Sequence, residues 1–476
     1  MFKLSALCFA SLVALHAPAA LAQEGAQVAA SASEQTLAER IDAVIAPYYK
    51  ADAPGATVIV TQDGKTVLRK AYGLANVSKG IAMSPDMAMR LGSITKQFTA
   101  VGILMLVDEG KLALDDDITK FLPDYPTRGK RITIEHLLTH TSGIVSFTSK
   151  PSFFLTEGQD KSVAQMIDFF KNDALEFEPG TRWAYNNSGY FLLGAVIEKL
   201  SGQTYAKFME ERIFTPLEMR HTAYEGHERN PGPRAVGHTK GWFGGVATAK
   251  PMSMTQPYAA GALVSTVDDL ARWDAAISAG KLLTPGTWQK AHTSAVLADG
   301  KLTNYGYGWQ VGKLRGAPMV AHDGGINGFS TSALRLPQQK VYVAVLSNSD
   351  APKVQPDMVA SQAAAIAIGN PFPDFKSVKV DNAVLDAYAG TYRIDANATR
   401  SFKRDGDKLV MQRTNRDPVT LTSFANDSFV MPASLTTFVF ARNAKGEVNH
   451  VTVHSQGSDM INQRVGTPYG TPYGTP

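Results

Sequence analysis

Apolar residues recur at helical spacing at Leu37, Ile41, Val44, Ile45 and Tyr48, which predicts a first helix over 34–50. Two β-rich runs follow, 56–61 and 65–72, and Asp63-Gly64 between them supplies hairpin turn chemistry. From Ser93 to Gly110 the period returns to that of a helix, with Phe98, Ile103, Leu104, Leu106 and Val107 apolar and Gly110 placed to end it. The middle of the chain, to about residue 290, reads as helices and long loops. Strand character returns at 329–336 and 341–346, around a turn at Pro337-Gln338-Gln339. Strands at both ends with helices between them predict an α+β domain over 34–369, its sheet assembled from the two ends of the segment.

An Ala-rich helix over 357–368 closes that pattern, and Gly369-Asn370-Pro371 breaks it. From about 383 to 465 short β-like runs alternate with turns at Asp405-Gly406 and Lys445-Gly446, so a small all-β barrel is expected over 375–465. The final stretch, 466–476, repeats Tyr-Gly-Thr-Pro and is expected to be a low-complexity tail. At the other end, Lys3, the apolar run 4–15 and Ala20-Leu21-Ala22 have the order of a secretory signal peptide over 1–22. The run is shorter than the ~20 residues a bilayer requires, so export to a periplasmic or extracellular location is expected, with no transmembrane segment. The single cysteine, Cys8, lies inside the leader, which leaves the mature chain without thiol chemistry.

The 476 residues carry 44% hydrophobic and 19% charged side chains, which excludes wholesale disorder. A formal charge of +4 over this length provides no field for nucleic acid. His136 and His140 have a metal-compatible spacing but no companion ligand, so they are read as structural and neither a metal nor a cofactor is expected. No Gly-x-Ser-x-Gly element is present, which removes the α/β-hydrolase reading.

Three short motifs carry candidate chemistry. Ser93-Ile94-Thr95-Lys96 sets a hydroxyl and an amine on one face of a helix start, where the amine can activate the hydroxyl as a nucleophile. The same spacing recurs at Ser278 and Lys281 beside the helix-ending Gly280 and is read there as structural. Ser93 taken alone reads equally well as a helix cap. Tyr185-Asn186-Asn187 is the only Tyr-x-Asn in the chain and precedes a helix over 189–200. For Tyr185 to act as a base near neutrality its phenolate needs a nearby ammonium, a role Lys96 can fill. His322-Asp323-Gly324-Gly325, the only His-x-Gly, precedes the strand 329–336 and offers a hydrogen-bonding side chain beside a glycine edge. Alone it is a turn with an exposed histidine.

Together these motifs resemble the serine β-lactamase and penicillin-binding-protein superfamily, in particular its class C β-lactamase-like branch. The stretches 132–143, 179–190 and 305–309 and the segments around Pro216, Met219, Ser265 and Asp268 look like that family's landmarks, in its order. The resemblance implies an antiparallel sheet flanked by helices plus a mostly helical subdomain. It implies Ser93 as the acylated nucleophile, Lys96 as its partner and Tyr185 as the base. Asn187, His322 and Gly324 are implied as substrate-binding residues, and the backbone N–H groups of Ser93 and Gly325 as the oxyanion hole. Each such donor is worth roughly 3–4 kcal/mol in acyl-transfer sites. Leu385, Tyr388, Gly390 and Tyr392 resemble the opening strand of the lipocalin-like barrel attached to some members.

The third motif departs from the Lys-Thr-Gly of efficient class C β-lactamases, and the carboxylate of Asp323 is expected to repel an anionic substrate. The resemblance therefore implies an exported serine hydrolase of D-amino-acid peptides or small esters, with weak β-lactam hydrolysis at best. A non-catalytic sensor of penicillin or peptidoglycan fragments and a class C-type β-lactamase are the alternatives. Oligomeric state, the barrel's role and whether Lys96 or Tyr185 first accepts the proton stay open at this stage.

Overall fold

The computed structural model describes residues 35–466 except 228, 396–397, 433 and 456–457; the expected leader 1–22 and almost all of the tail lie outside them. The first helix, α1 (Leu37–Ile45), opens on a capping box in which Thr36 and Glu39 satisfy each other's backbone N–H groups. The predicted hairpin forms as β1 (Ala56–Gln62) and β2 (Lys65–Tyr72). Next come α2 (Thr95–Asp108), α3 (Asn187–Ser201) and α4 (Val267–Ser278). Four strands follow, β3 (Gln310–Leu314), β4 (Ala317–Ile326), β5 (Phe329–Leu336) and β6 (Val341–Ser347), and then α5 (Pro356–Ala367).

These strands make one antiparallel sheet in the order β3-β4-β5-β6-β1-β2, so the two ends of the segment meet where β1 pairs with β6, Val58 opposite Val345. Both faces are covered. Ile59, Val320, Ala333, Ala344 and Leu346 face a core that includes residues of α2, α3 and α4. Val58, Val60, Ala321, Leu334, Val343 and Val345 face a second core beneath α1 and α5. That double burial explains why β5 and β6 are apolar or small along nearly their whole length instead of alternating.

β4 is longer than its sequence suggests. The His322–Gly325 motif precedes β5 as expected but itself lies inside a strand, with Gly324 opposite Thr331 and Gly325 opposite Ser330 on β5. β3 pairs with β4 only from Ala317 to Ala321. The strand edge beyond Ala321 is thereby left to the site.

The C-terminal β runs close into an eight-stranded barrel, from Gly390–Arg393 to Ser458–Arg464, filled by Tyr392, Phe402, Phe438 and Phe440. The expected opening strand is only half a strand. Leu385 and Tyr388 belong to the helix Asn382–Tyr388, and the Tyr388 ring stacks on Phe440 with centroids 4.2 Å apart. The barrel wall, the linker residues Phe372 and Phe375 and the β3–β4 turn at Arg315 together line a cavity of about 620 Å³.

Candidate active site

Ser93 does not cap a helix. It sits in a 3-10 turn, Gly92–Ile94, that leads into α2, and no side chain of this turn makes a cap bond. Gly92 adopts φ +55°, and a Cβ there would stand 2.9 Å from the Gly325 nitrogen. The turn is therefore held directly against the free end of β4, which is where the motif's glycines are needed. A Cβ on Gly324 would lie 2.0 Å from the Leu91 oxygen, whereas one on Gly325 would meet nothing within 4 Å.

One turn into α2 from Ser93, Lys96 is fully buried. Its Nζ lies 3.0 Å from Ser93 Oγ, 2.8 Å from Asn187 Oδ1 and 2.8 Å from the Ala260 carbonyl oxygen. Asn187 Nδ2 donates to Thr148 Oγ1 at 2.9 Å, which turns the amide oxygen toward Lys96. Asn187 Oδ1 and Ala260 O only accept, so they hold two N–H groups of Lys96 whatever its charge. Only the contact with Ser93 reverses direction with protonation: an ammonium donates to Oγ, a neutral amine accepts from it. Burial drives the amine's proton affinity well below the ordinary lysine value.

Tyr185 closes the group from the rim, 38% exposed, with its ring centroid 4.9 Å from Lys96 Nζ. Burial of its hydroxyl raises the Tyr185 pKa; a hydrogen bond with Ser93 opposes this and the charge of Asp323 adds to it. Burial thus disfavours both the ammonium of Lys96 and the phenolate of Tyr185, the pair that Tyr185 would need in order to act as a base.

His322 is buried, and both ring nitrogens are engaged. Nδ1 donates to its neighbour's carbonyl, Asp323 O, at 2.6 Å, so Nε2 accepts from the Tyr305 hydroxyl at 2.8 Å. Burial, reinforced by the charge of Lys96, pushes its pKa down to about 3. It presents no free donor and no charge to the pit, unlike the substrate-facing side chain expected. Asp323 is also displaced from its expected position. It alternates with His322 and shares the sheet face of Ala321, opposite Ser332 on β5, with Gln310 and Asp357 nearby. Burial and that second carboxylate raise its pKa to about 7.

Sequence reasoning read His140 as structural and gave it no place at the site. It follows the helix Ile134–Leu138 at φ +61°, and its ring centroid lies 4.4 Å from that of Tyr185 and 4.6 Å from that of Tyr305. The Asn186 N–H donates to its Nδ1 at 3.1 Å, fixing the residue that precedes Asn187. His136, by contrast, caps its own helix as expected. The control Ser-x-x-Lys at Ser278 ends α4, and Ser278 Oγ accepts from Arg335 at 2.9 Å. Among the described residues there is no cluster of three or more His, Cys, Asp or Glu that could hold a metal ion, and no helix long and apolar enough to cross a membrane.

The family described as Beta-lactamase matches residues 37–367, and the family described as Domain of unknown function (DUF3471) matches 376–465. "Penicillin-binding protein 4*" of Bacillus subtilis is 27% identical over 386 residues, 75% of this chain and 83% of that protein. The octameric penicillin-binding protein homologue from Pyrococcus abyssi superposes with a TM-score of 0.63 at 25% identity, covering 89% of this chain and 99% of that one. A D-stereospecific amidohydrolase from Streptomyces sp. gives a TM-score of 0.58 at 26% identity, covering 69% and 97%.

Proposed function

The chain belongs to the beta-lactamase family, whose penicillin-binding-protein and amidase relatives are serine hydrolases, and from that premise we propose that it is an exported enzyme acylated at Ser93 by D-amino-acid amides or peptides and by small esters. The observation that carries the reading is the Lys96 amine, buried without a carboxylate partner among the described residues and 3.0 Å from Ser93 Oγ. A lysine whose proton affinity burial lowers can serve as a base, and the serine hydroxyl is the neighbour whose proton it is placed to take.

In this mechanism the Ser93 proton moves to Lys96 Nζ as Oγ bonds to the substrate carbonyl carbon. The oxyanion so formed is received by the N–H groups of Ser93 and Gly325 at the contact between Gly92 and β4. The Tyr185 phenol, still protonated, donates to the departing amine or alcohol and is resupplied from the Lys96 ammonium. Water then attacks the acyl-enzyme by the same steps in reverse. Lys96 is thus the first proton acceptor and Tyr185 the relay.

The neutral, doubly engaged His322 supports weak β-lactam turnover, because it offers no cation to a substrate carboxylate. For the same reason amides and esters are favoured over peptides that must be recognised by a free C-terminus. The D-stereospecific relative supports the D-residue preference. Export rests on the order of charged, apolar and small residues over 1–22. A fluorophosphonate probe should label the purified protein and not Ser93→Ala, and D-amino-acid amides should outrun nitrocefin in kcat/KM. Labelling of Ser93→Ala to the same extent would remove the nucleophile assignment.

A further inference from the structure

Away from the pit, the strands His238–Lys240 and Val246–Thr248 form a short two-stranded hairpin. At its tip Trp242 is 95% exposed and Phe243 101%, with Gly241 before them and Gly244-Gly245 after. Nothing among the described residues covers either ring, although such side chains ordinarily contribute heavily to burial in a water-soluble fold. Their exposure is not slack in a loose loop, because the tip is closed by backbone hydrogen bonds, Gly241 N–H to Gly245 O and Gly244 N–H to Gly241 O, both 3.0 Å.

Along the chain the charge flanking the tip has one sign, while at the foot of the hairpin the Asp350 carboxylate accepts from the Gly328 N–H at 2.8 Å. Residues 229–267 contain four cations, Arg229, Arg234, Lys240 and Lys250, and no Asp or Glu. Arg229 pairs with Glu210, and Arg234 pairs with Glu225, which it shares with Arg90. Lys240 and Lys250, which bracket the aromatic pair, have no carboxylate partner among the described residues.

We propose that this hairpin is a docking element for an anionic lipid surface, with Trp242 and Phe243 entering the interface and Lys240 and Lys250 meeting the headgroups. Indole and phenyl rings favour the boundary between headgroups and acyl chains, and nearby lysines add attraction to anionic lipid. A protein partner would require shape complementarity, whereas a narrow tip with two projecting rings and small glycines offers no concave surface; a fluid interface needs none.

The foot of the hairpin fixes what docking would present. Gly237 packs on the turn between β4 and β5, its missing Cβ leaving room for Phe329 and Gly328, and the His238 N–H bonds Gly328 O at 3.2 Å. The tip is therefore rooted three residues beyond Gly325, and a docked molecule holds its pit close to the lipid.

The full-length protein should co-sediment with vesicles of phosphatidylcholine and phosphatidylglycerol, with a blue shift of tryptophan emission, and much less with phosphatidylcholine alone. Binding should weaken with salt and fall roughly fivefold for each lysine in Lys240→Gln and Lys250→Gln. The double variant Trp242→Ser/Phe243→Ser should lose vesicle binding and the blue shift while hydrolysing a water-soluble ester as the parent does. Failure of the parent to bind mixed vesicles, or unchanged binding by the aromatic double variant, would overturn the proposal. So would a double variant that binds vesicles normally but loses ester hydrolysis, which would make the tip a substrate lip.

Discussion

At the scale of single residues the decisive quantity is the protonation of Lys96. Burial lowers its pKa, so the amine gains a proton only as the solution becomes acidic, and activity should be lost on the acid side. The Tyr185 pKa is raised, so the alkaline limb should lie above the ordinary tyrosine range. A kcat/KM profile tests both directions, and Lys96→Arg, permanently charged, should be inactive across the whole profile by about a thousandfold or more. An acid limb that persists unchanged in Lys96→Arg would assign it to another group. Ser93 and Lys96 could be singled out only in company with Tyr185 and Asn187, because Ser-x-x-Lys occurs twice in the chain, and the fold brings Asn187 and Ser93 to the one amine of Lys96. His140 was not legible, because its sequence position says helix end, while its left-handed backbone turns the ring against Tyr185. His322 was found, but its surroundings were not, since Tyr305, which supplies its hydrogen bond, is identified only once the chain is folded.

Elements set the tolerance of the site. β4 was hard to read because Pro318, Asp323, Gly324 and Gly325 all disfavour strands, and only pairing with β5 along its length makes it one. Its glycines then have different duties. Gly324→Ala would force a methyl group onto the Leu91 carbonyl and should destabilise the fold by about 2–3 kcal/mol, whereas Gly325→Ala should unfold near the parent temperature. Thermal unfolding of the two variants side by side checks this, and equal losses would contradict the packing. β1, β2, β5 and β6 were legible from composition, as was α5, because burial on both faces or one demands apolar residues in a continuous or periodic run. The barrel was legible as short β runs, but the helix 382–388 that plugs Tyr388 onto Phe440 was not.

Across the whole molecule, two carboxyls and two histidines make stability depend on pH in opposing senses. His292 and His322 are both lowered to about 3, so their contribution is present above the ordinary histidine range and is lost as pH falls toward 3. Asp274 and Asp323 are raised to about 6 and about 7, so theirs is present at low pH and lost as pH rises through those values. Asp323→Asn, which cannot ionise, should therefore match the parent near pH 4 and exceed it near pH 8 by on the order of 2–3 kcal/mol in urea unfolding. A variant less stable at both pH values would show that the carboxyl's hydrogen bonds outweigh its charge. What no local pattern could give is the convergence of segments near 93, 185, 260 and 322 on one pit. The barrel sits against the β3–β4 turn at Arg315, and β4 carries the chain on from there to Gly325, roughly 30 Å away in extended conformation.

The third anchor of Lys96 is the main-chain oxygen of Ala260, 164 positions along the chain from it. The side chain at 260 supplies none of this anchor, since every amino acid brings the same carbonyl; what position 260 must supply is a small residue that fits the buried site. The lysine's orientation is thereby coupled to position 260 through backbone path and packing alone, and an insertion, a deletion or an oversized residue there can release it.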